Sequence, residues 1–237
     1  MSASREFPPQ KGPYHVQVKN GAGWHGHDTA RLQISVGQAY HEGDKLRAQA
    51  EWIRHRFRRA VVCVNDGLQR HNLMFASMTE PQAMIRCVDE GGKWIARNRE
   101  ALKVLPNAEV YQWHHWTRAP GFEAEHRRVQ SLYANDPAFR AAVDEEVEKF
   151  WQRQPKEDGL CASYRFDAFK FHSVNYLLEE TAAFFLMFEK DRAVDIYPGS
   201  TLLPCALAKA YAQKGGDTVH FTRIDFKRRD ARRLEAA

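Results

Sequence analysis

The sequence predicts an α/β fold with a Rossmann-like, mainly parallel five-stranded sheet flanked by helices. Short apolar strand patterns recur along the chain, and longer helical patterns separate them. This alternation requires crossover connections, which join parallel strands. The length of 237 residues suits one domain, and a hydrophobic content of 43% is enough for a packed core. We expect a single catalytic domain at residues 29–237, preceded by an irregular arm at residues 1–28 that is rich in Pro and Gly.

The strand patterns are short apolar or alternating runs that end in turn residues. They predict strands at residues 30–36, 60–65, 109–116, 193–197 and 218–224. Ligands of an open parallel sheet bind beyond the carboxyl ends of its strands. Polar residues at those ends are therefore the first candidates for a functional site.

The helical patterns fill the intervals between the strands. The first helix follows Gly43 and Asp44, and the second begins at the N-cap Thr79 with Pro81 in its first turn. The pair Gly91-Gly92 is expected to interrupt this second helix. Further helices are predicted at residues 122–133, 138–153, 163–190 and 201–213.

The formal net charge of +5 is compatible with a polyanionic partner. In a continuous helix, Arg86, Lys93 and Arg97 share one narrow arc, and Arg127 with Arg128 is expected to extend it. This basic stripe is predicted to contact the phosphate backbone of a nucleic acid. An ordinary solvated helix face is the alternative, because acidic residues interrupt the stripe.

Several classes of protein are not indicated. The four cysteines are far apart without metal or redox spacing, and neither His25 with His27 nor His114 with His115 has the spacing of a metal site. No cofactor and no metal are therefore expected. The N-terminus lacks a signal-peptide core, and the apolar run at residues 182–188 is too short to span a membrane. We expect a monomeric cytoplasmic protein.

Ser35 ends the first predicted strand and is a candidate nucleophile. A hydrolase elbow needs small residues two positions before and two positions after the serine. Gly37 meets this requirement, but Gln33 does not. A serine at a strand end is by itself usually structural. The case for Ser35 therefore depends on the residues that accompany it.

Tyr176 and Glu180 lie four apart in a helical run, so both project from one helix face. A phenol and a carboxylate in that arrangement can hold an ammonium group. Glu179 lies on a different face and is expected to be solvated. Tyr197 ends a strand before Pro198 and is a candidate proton relay. Five further polar or turn residues near strand ends are predicted to bind substrate: Gln33, Gly37, Gln38, Asn65 and Asp66.

Three segments together resemble the cyclodipeptide synthases: Ile34-Ser-Val36, Tyr176-Leu-Leu-Glu-Glu180 and Tyr197-Pro198. The resemblance spans roughly residues 30–224 and is to the subgroup in which proline follows the second tyrosine. It implies a fold similar to the class I aminoacyl-tRNA synthetase catalytic domain. The His-Ile-Gly-His and Lys-Met-Ser-Lys-Ser signatures of those synthetases are absent, which favours an enzyme that uses charged tRNA rather than one that makes it.

The resemblance implies that two aminoacyl-tRNAs are joined by ping-pong catalysis. Ser35 would carry first an aminoacyl and then a dipeptidyl group, and a 2,5-diketopiperazine would be released. Glu180 and Tyr176 would hold the amino group of the first residue, and Tyr197 would relay a proton. Two alternatives remain open from the residues themselves: a serine esterase or hydrolase, which needs a histidine base, and a non-catalytic tRNA- or RNA-binding module.

Overall fold

The strands of the described chain form one mixed sheet. The structure, a computed structural model, describes residues 12–19, 24–154, 161–199 and 220–229, without the side chains of residues 161–164 and 191. Within these ranges there are six strands: β1 (Tyr14–Val18), β2 (Thr29–Ile34), β3 (Arg59–Val64), β4 (Glu109–Gln112), β5 (Val194–Tyr197) and β6 (Phe221–Arg228). Their order is β1-β6-β5-β2-β3-β4. Only β1 is antiparallel to its neighbour in this part of the chain.

The predicted parallel α/β fold is confirmed, with one strand more than the five expected. The additional strand is β1, in the segment 1–28 that was expected to be irregular. That expectation is wrong for residues 14–18, which pair with residues 224–228 of β6. Val16 and Val18 pack against one apolar core, so this edge strand extends the sheet beyond β6.

The described helices flank this sheet on both faces. They are α1 (Gly43–Arg54), α2 (Arg70–Phe75), α3 (Glu80–Arg97), α4 (Arg99–Leu102), α5 (Trp113–Thr117), α6 (Phe122–Asn135), α7 (Pro137–Gln152) and α8 (Cys161–Asp191). Two 3-10 turns, Ala39–His41 and Gly67–Gln69, follow β2 and β3. The helix predicted at residues 201–213, Cys205, and residues 218–219 of the last predicted strand lie outside the described residues.

Alternating residues of the central strands face two separate apolar cores. Val61 and Cys63 of β3 pack with α5 to α8, whereas Val62 and Val64 pack with α1, α3 and α4. This alternation is the period of two that a strand buried on both faces requires. The helix layer that includes α8 therefore covers one face only, and that face carries the candidate site.

Two predicted element boundaries need correction. The strand expected at 109–116 ends at Gln112 and is followed by α5, in which Trp113 and Trp116 are both buried. Their spacing of three puts both rings on one helix face. The helix α3 continues through Gly91-Gly92 instead of breaking there. A Cβ atom at Gly91 would lie 2.1 Å from a carboxylate oxygen of Asp66, so this glycine permits a close approach.

A buried ion pair connects the central strands β2 and β5. Arg31 and Asp195 are 0% and 1% exposed, and Arg31 Nη1 lies 3.0 Å from Asp195 Oδ2. Arg31 also donates to the carbonyl oxygen of Met187 on α8 at 2.8 Å. Gln33 donates from Nε2 to the other oxygen of Asp195 at 3.0 Å. These contacts fix the strand pair and the helix α8 relative to one another.

Replacement of Arg31 with Met should strongly destabilise the protein. The substitution leaves the Asp195 carboxylate buried without its cation, a change that typically costs about 3–5 kcal/mol. Urea unfolding measures the loss. Arg58→Met is the control, because Arg58 and Asp28 form an exposed pair at 3.7 Å and their loss should change the free energy of unfolding much less. Equal losses in both variants would show that the buried pair has no special role.

Candidate active site

Ser35 and Tyr197 lie side by side at the carboxyl edge of the sheet. β2 and β5 are parallel, with Leu32 opposite Ile196. Residues two positions apart on a strand face the same side, so Gln33, Ser35 and Tyr197 share the face that α8 covers. The hydroxyl oxygens of Ser35 and Tyr197 are 3.3 Å apart. The structure thus brings together two hydroxyls that are 162 positions apart in the chain.

A third hydroxyl continues this pair. Tyr40 Oη lies 3.2 Å from Tyr197 Oη, so Ser35, Tyr197 and Tyr40 form a chain of three hydroxyl groups. Tyr40 was missed from the sequence. It follows a turn in which Gly37 has a φ of +87°, a conformation that favours glycine. The signal available in the sequence was the Gly-Gln-Ala-Tyr segment directly after a strand that ends in serine.

His41 holds the backbone of this turn. The N–H of Ser35 donates to His41 Nδ1 at 2.9 Å, and Trp94 Nε1 donates to the His41 carbonyl oxygen at 3.0 Å. Burial lowers the pKa of His41 to about 4, so the ring is neutral at pH 7. Its Nδ1 therefore accepts the hydrogen bond from the backbone N–H of Ser35. This structural role of His41 was not predicted from the sequence.

Tyr176 and Glu180 project from α8 into the cavity that Ser35 and Tyr197 line. Burial raises the pKa of Glu180 to about 8, and the nearby carboxylates of Glu146 and Asp195 act in the same direction. Burial, together with the charge of Glu180, holds the pKa of Tyr176 well above its ordinary value. Both groups therefore carry a proton at neutral pH when the cavity is empty.

Glu179 has the opposite environment, and the expectation that it is solvated is wrong. It is 3% exposed and accepts from Arg70 Nη1 at 2.7 Å, from Trp113 Nε1 at 2.7 Å and from His71 Nε2 at 3.1 Å. Burial alone would raise the pKa of Glu179, but the hydrogen bonds from His71 and Arg70 outweigh it and lower the pKa to about 2. This ionised carboxylate ties α8 to α2 and α5.

Two cavities meet at the hydroxyl chain. The first cavity has a volume of about 240 Å³ and includes Glu180, Gln33 and the aromatic rings of Phe184 and Phe221 in its lining. The second has a volume of about 570 Å³ and includes Gln38 and Gln69. Six residues line both cavities: Ser35, Tyr40, Phe150, Arg153, Tyr176 and Tyr197. The hydroxyl of Ser35 is thus accessible from two adjoining spaces.

The five predicted substrate contacts divide into two groups. Gln33 lines the first cavity and Gln38 lines the second. Gly37 lies in the turn that follows β2, where its positive φ shapes the backbone. Asn65 and Asp66 line neither cavity and are 1% exposed.

Asp66 is instead a structural cap, which corrects its predicted contact with substrate. Its Oδ1 accepts from the backbone N–H groups of Gly67 and Trp113 at 2.7 and 2.9 Å. Its Oδ2 accepts from Gln112 at 2.8 Å. All of these contacts are within the protein, so this carboxylate organises the turn after β3 and the start of α5.

The predicted basic stripe is largely paired within the protein. Lys93 lies 2.7 Å from Asp89, and Arg97 Nε donates to Glu42 at 3.2 Å. Arg128 donates to Glu125 at 2.9 Å and lies over the ring of Phe185.

The five predicted stripe residues also do not form one surface. Arg86 is exposed on α3, whose Trp94 packs in the core on one face of the sheet. Arg127 is exposed on α6, whose Val129 packs in the core on the other face. Arg127 and Arg128 therefore do not extend the α3 stripe, and whether any of the five contacts tRNA stays a prediction.

The described part of the chain contains no group of three His, Cys, Asp or Glu side chains arranged to hold a metal ion. Among the described helices, none combines the length and the apolar character that crossing a membrane would need.

Comparisons with known proteins indicate one family for this chain. A family model described as cyclodipeptide synthase matches residues 23–187. A cyclodipeptide synthase structure from Fluoribacter dumoffii is 24% identical, covers 92% of this chain and 100% of its own, and has a TM-score of 0.80. The structure of a cyclodipeptide synthase from Candidatus Glomeribacter gigasporarum bound to Phe-tRNAPhe is 20% identical, covers 86% and 89%, and has a TM-score of 0.65.

A third similar structure relates this fold to the synthetases. It is the Mycobacterium tuberculosis protein Rv2275, described as demonstrating that cyclodipeptide synthetases are related to type I tRNA synthetases. It is 15% identical, covers 97% of this chain and 100% of its own, and has a TM-score of 0.65. A search of curated proteins found no match.

Replacement of Glu180 with Gln should stabilise the protein increasingly as the pH rises. The pKa of Glu180 is raised to about 8, so the native state binds its proton more tightly than the unfolded state does. The free energy of unfolding that Glu180 contributes is fully present below the ordinary pKa of 4.5. It is lost as the pH rises through about 8. Each unit of pKa difference corresponds to about 1.4 kcal/mol.

Urea unfolding at pH 5 and pH 9 measures this effect as the difference between Glu180→Gln and the unsubstituted protein. The difference should be larger at pH 9. Glu148→Gln, on the exposed face of α7, is the matched control and should show no such pH dependence. A difference for Glu180→Gln that is equal at both pH values would contradict the raised pKa.

Proposed function

Since the chain belongs to the cyclodipeptide synthase family, we propose that it joins two aminoacyl groups, delivered by two aminoacyl-tRNAs, into a 2,5-diketopiperazine. We propose a ping-pong reaction in which Ser35 is acylated first by one aminoacyl group and then carries the dipeptide. Ser35, Tyr176, Glu180 and Tyr197 are the residues assigned to this chemistry.

The observation that carries the proposal is the pair of cavities that share Ser35. A ping-pong transfer must hold the first acyl group near the nucleophile while a second substrate approaches the same place. The first cavity contains Glu180, which suits the amino group of the bound residue. The second cavity also includes Ser35 in its lining and offers room for the incoming substrate.

In the first step, Ser35 Oγ attacks the carbonyl carbon of the aminoacyl ester. The new bond joins Oγ to that carbon, and the bond from the carbon to the ribose oxygen of tRNA breaks. The serine proton passes to the departing ribose oxygen, and Tyr197 is positioned to relay it at 3.3 Å from Ser35. The backbone N–H groups of Val36 and Gly37 are the candidate donors to the developing oxyanion.

In the second step, the amine of the first residue attacks the ester carbonyl carbon of the second aminoacyl-tRNA and forms the peptide bond. The bond from that carbon to the ribose oxygen breaks, and the departing oxygen takes up a proton. The reacting amine must lose a proton, and an α-amino group has an ordinary pKa of about 7.7–8.0. Because the pKa of Glu180 is also about 8, this carboxylate can take up or return that proton at little cost. The amine of the second residue then attacks the carbonyl carbon of the ester to Ser35, and the new C–N bond closes the ring. The bond from that carbon to Ser35 Oγ breaks, and Oγ takes up the proton that the attacking amine loses.

The geometry gives less support to the serine esterase. A hydrolase needs a histidine that accepts the proton of the serine hydroxyl. Among the described residues, the hydroxyl of Ser35 bonds to Tyr197, and the histidine closest to it in sequence, His41, bonds to the backbone N–H instead. A non-catalytic RNA-binding module would leave the convergence of Ser35, Tyr176, Glu180 and Tyr197 without a purpose.

Replacement of Ser35 with Ala should abolish the covalent intermediate. After the protein is mixed with aminoacylated tRNA, intact-protein mass spectrometry should detect an aminoacyl adduct on the unsubstituted protein and none on Ser35→Ala. Cyclic dipeptide should disappear from the products as well. Ser131→Ala, an exposed serine on α6, is the control and should form the adduct normally. An undiminished adduct on Ser35→Ala would refute the assignment of the nucleophile.

A further inference from the structure

Two carboxamides form a directed hydrogen-bond chain that ends on Tyr176. Asn72 Nδ2 donates to Gln69 Oε1 at 2.8 Å, and Gln69 Nε2 donates to Tyr176 Oη at 3.1 Å. An amide nitrogen can donate but cannot accept. The oxygen of Tyr176 therefore acts as an acceptor toward Gln69, and its own O–H is directed elsewhere.

The turn that carries Gln69 is held firmly against α8. The N–H of Gln69 donates to the Asp66 carbonyl oxygen at 2.9 Å. The next residue, Arg70, donates to Glu179 on α8 at 2.7 Å. Glu179 and Tyr176 lie three apart on that helix, so the ion pair fixes the distance between Gln69 and the phenol. Gln69 is half-buried and lines the second cavity.

The direction of this bond determines what Tyr176 can offer to a substrate. Within the described part of the chain, the phenolic proton of Tyr176 has no acceptor, and Tyr176 lines both cavities. The phenol keeps its proton at neutral pH because its pKa is raised. A phenol that presents O–H attracts a lone pair, such as that of a neutral amine, and does not attract an ammonium group.

We propose that Gln69 is a positioning residue that fixes Tyr176 as a hydrogen-bond donor to the reacting substrate. This inference rests on the proposed function. It assigns the two partners of the amine different tasks: Glu180 exchanges the proton, and Tyr176 donates to the nitrogen lone pair and holds it until the second ester arrives. Gln69 acts only through Tyr176 and does not touch the reacting atoms.

The substitution Gln69→Glu tests the direction of the bond, because it preserves shape and replaces the donor with an ionisable acceptor. When ionised, the introduced carboxylate would accept the phenolic proton and withdraw it from the substrate. When protonated, the introduced carboxyl group can again donate. We expect kcat for cyclic dipeptide formation to fall at least ~10-fold at pH 8, because the amine would lose the hydrogen bond that orients it for attack. KM for aminoacyl-tRNA should change much less.

The pH profile separates positioning from a structural role. The ratio of kcat for Gln69→Glu to kcat for the unsubstituted protein should rise toward one as the pH is lowered from 8 to below about 4.3, the ordinary pKa of a glutamate carboxyl. Gln69→Leu should lose activity at every pH in that range without recovery. Gln152→Glu, on the exposed end of α7, is the matched control and should keep a ratio near one throughout.

Three results would overturn the inference. The first is an undiminished kcat for Gln69→Glu at pH 8, because the activity would then not depend on a hydrogen-bond donor at position 69. The second is a decrease in kcat for Gln69→Glu that does not vary with pH. The third is an increase in KM for aminoacyl-tRNA without a decrease in kcat. Failure of the proposed function is recognised separately, since the unsubstituted protein would then form neither the Ser35 adduct nor cyclic dipeptide.

Discussion

The buried pair of Arg31 and Asp195 is the constraint on which the site depends. The pair lies on the face of the sheet that α8 covers and fixes β2 beside β5. Arg31 also donates to the backbone carbonyl oxygen of Met187 on α8. Ser35 lies four residues beyond Arg31, and Tyr197 lies two residues beyond Asp195, on the same face of the sheet. A shift of one residue between the strands would turn one of the two hydroxyls to the opposite face.

A second constraint is the contrast between two adjacent glutamates on α8. Glu179 faces Arg70, His71 and Trp113, and the pKa of this carboxyl is lowered to about 2. Glu180 faces the first cavity, where burial and other carboxylates raise its pKa to about 8. Neighbouring positions on one helix thus provide a permanent anion that anchors the helix and a carboxyl group that can exchange a proton near neutral pH.

The sequence was sufficient for those features that depend on local pattern. The parallel strands and the long helices follow from periodicity, and the positions of Ser35 and Tyr197 at strand ends follow from where the apolar runs stop. The spacing of Tyr176 and Glu180 was enough to put both on one helix face. The edge strand β1 was missed because its alternation is short and lies between Pro- and Gly-rich segments.

The features that depend on contacts distant in sequence were not predictable. Glu179 differs from a solvated glutamate because it is buried against Arg70, His71 and Trp113, which lie 66 to 109 positions away in the chain. Asp66 was assigned to substrate because it ends a strand, whereas Trp113 and Gln112 use its oxygens. The charges of the basic stripe were visible, but the pairing of Arg97 with Glu42 depends on tertiary packing.

A crystal structure of the covalent intermediate, trapped after reaction with aminoacyl-tRNA, would test the convergence of these groups most directly. We predict an acyl group on Ser35 Oγ whose amine lies in the first cavity, within hydrogen-bond distance of both Glu180 and Tyr176. An acyl group on another residue would contradict this convergence. An acyl group on Ser35 whose amine points into solvent, away from the helix α8, would also contradict it.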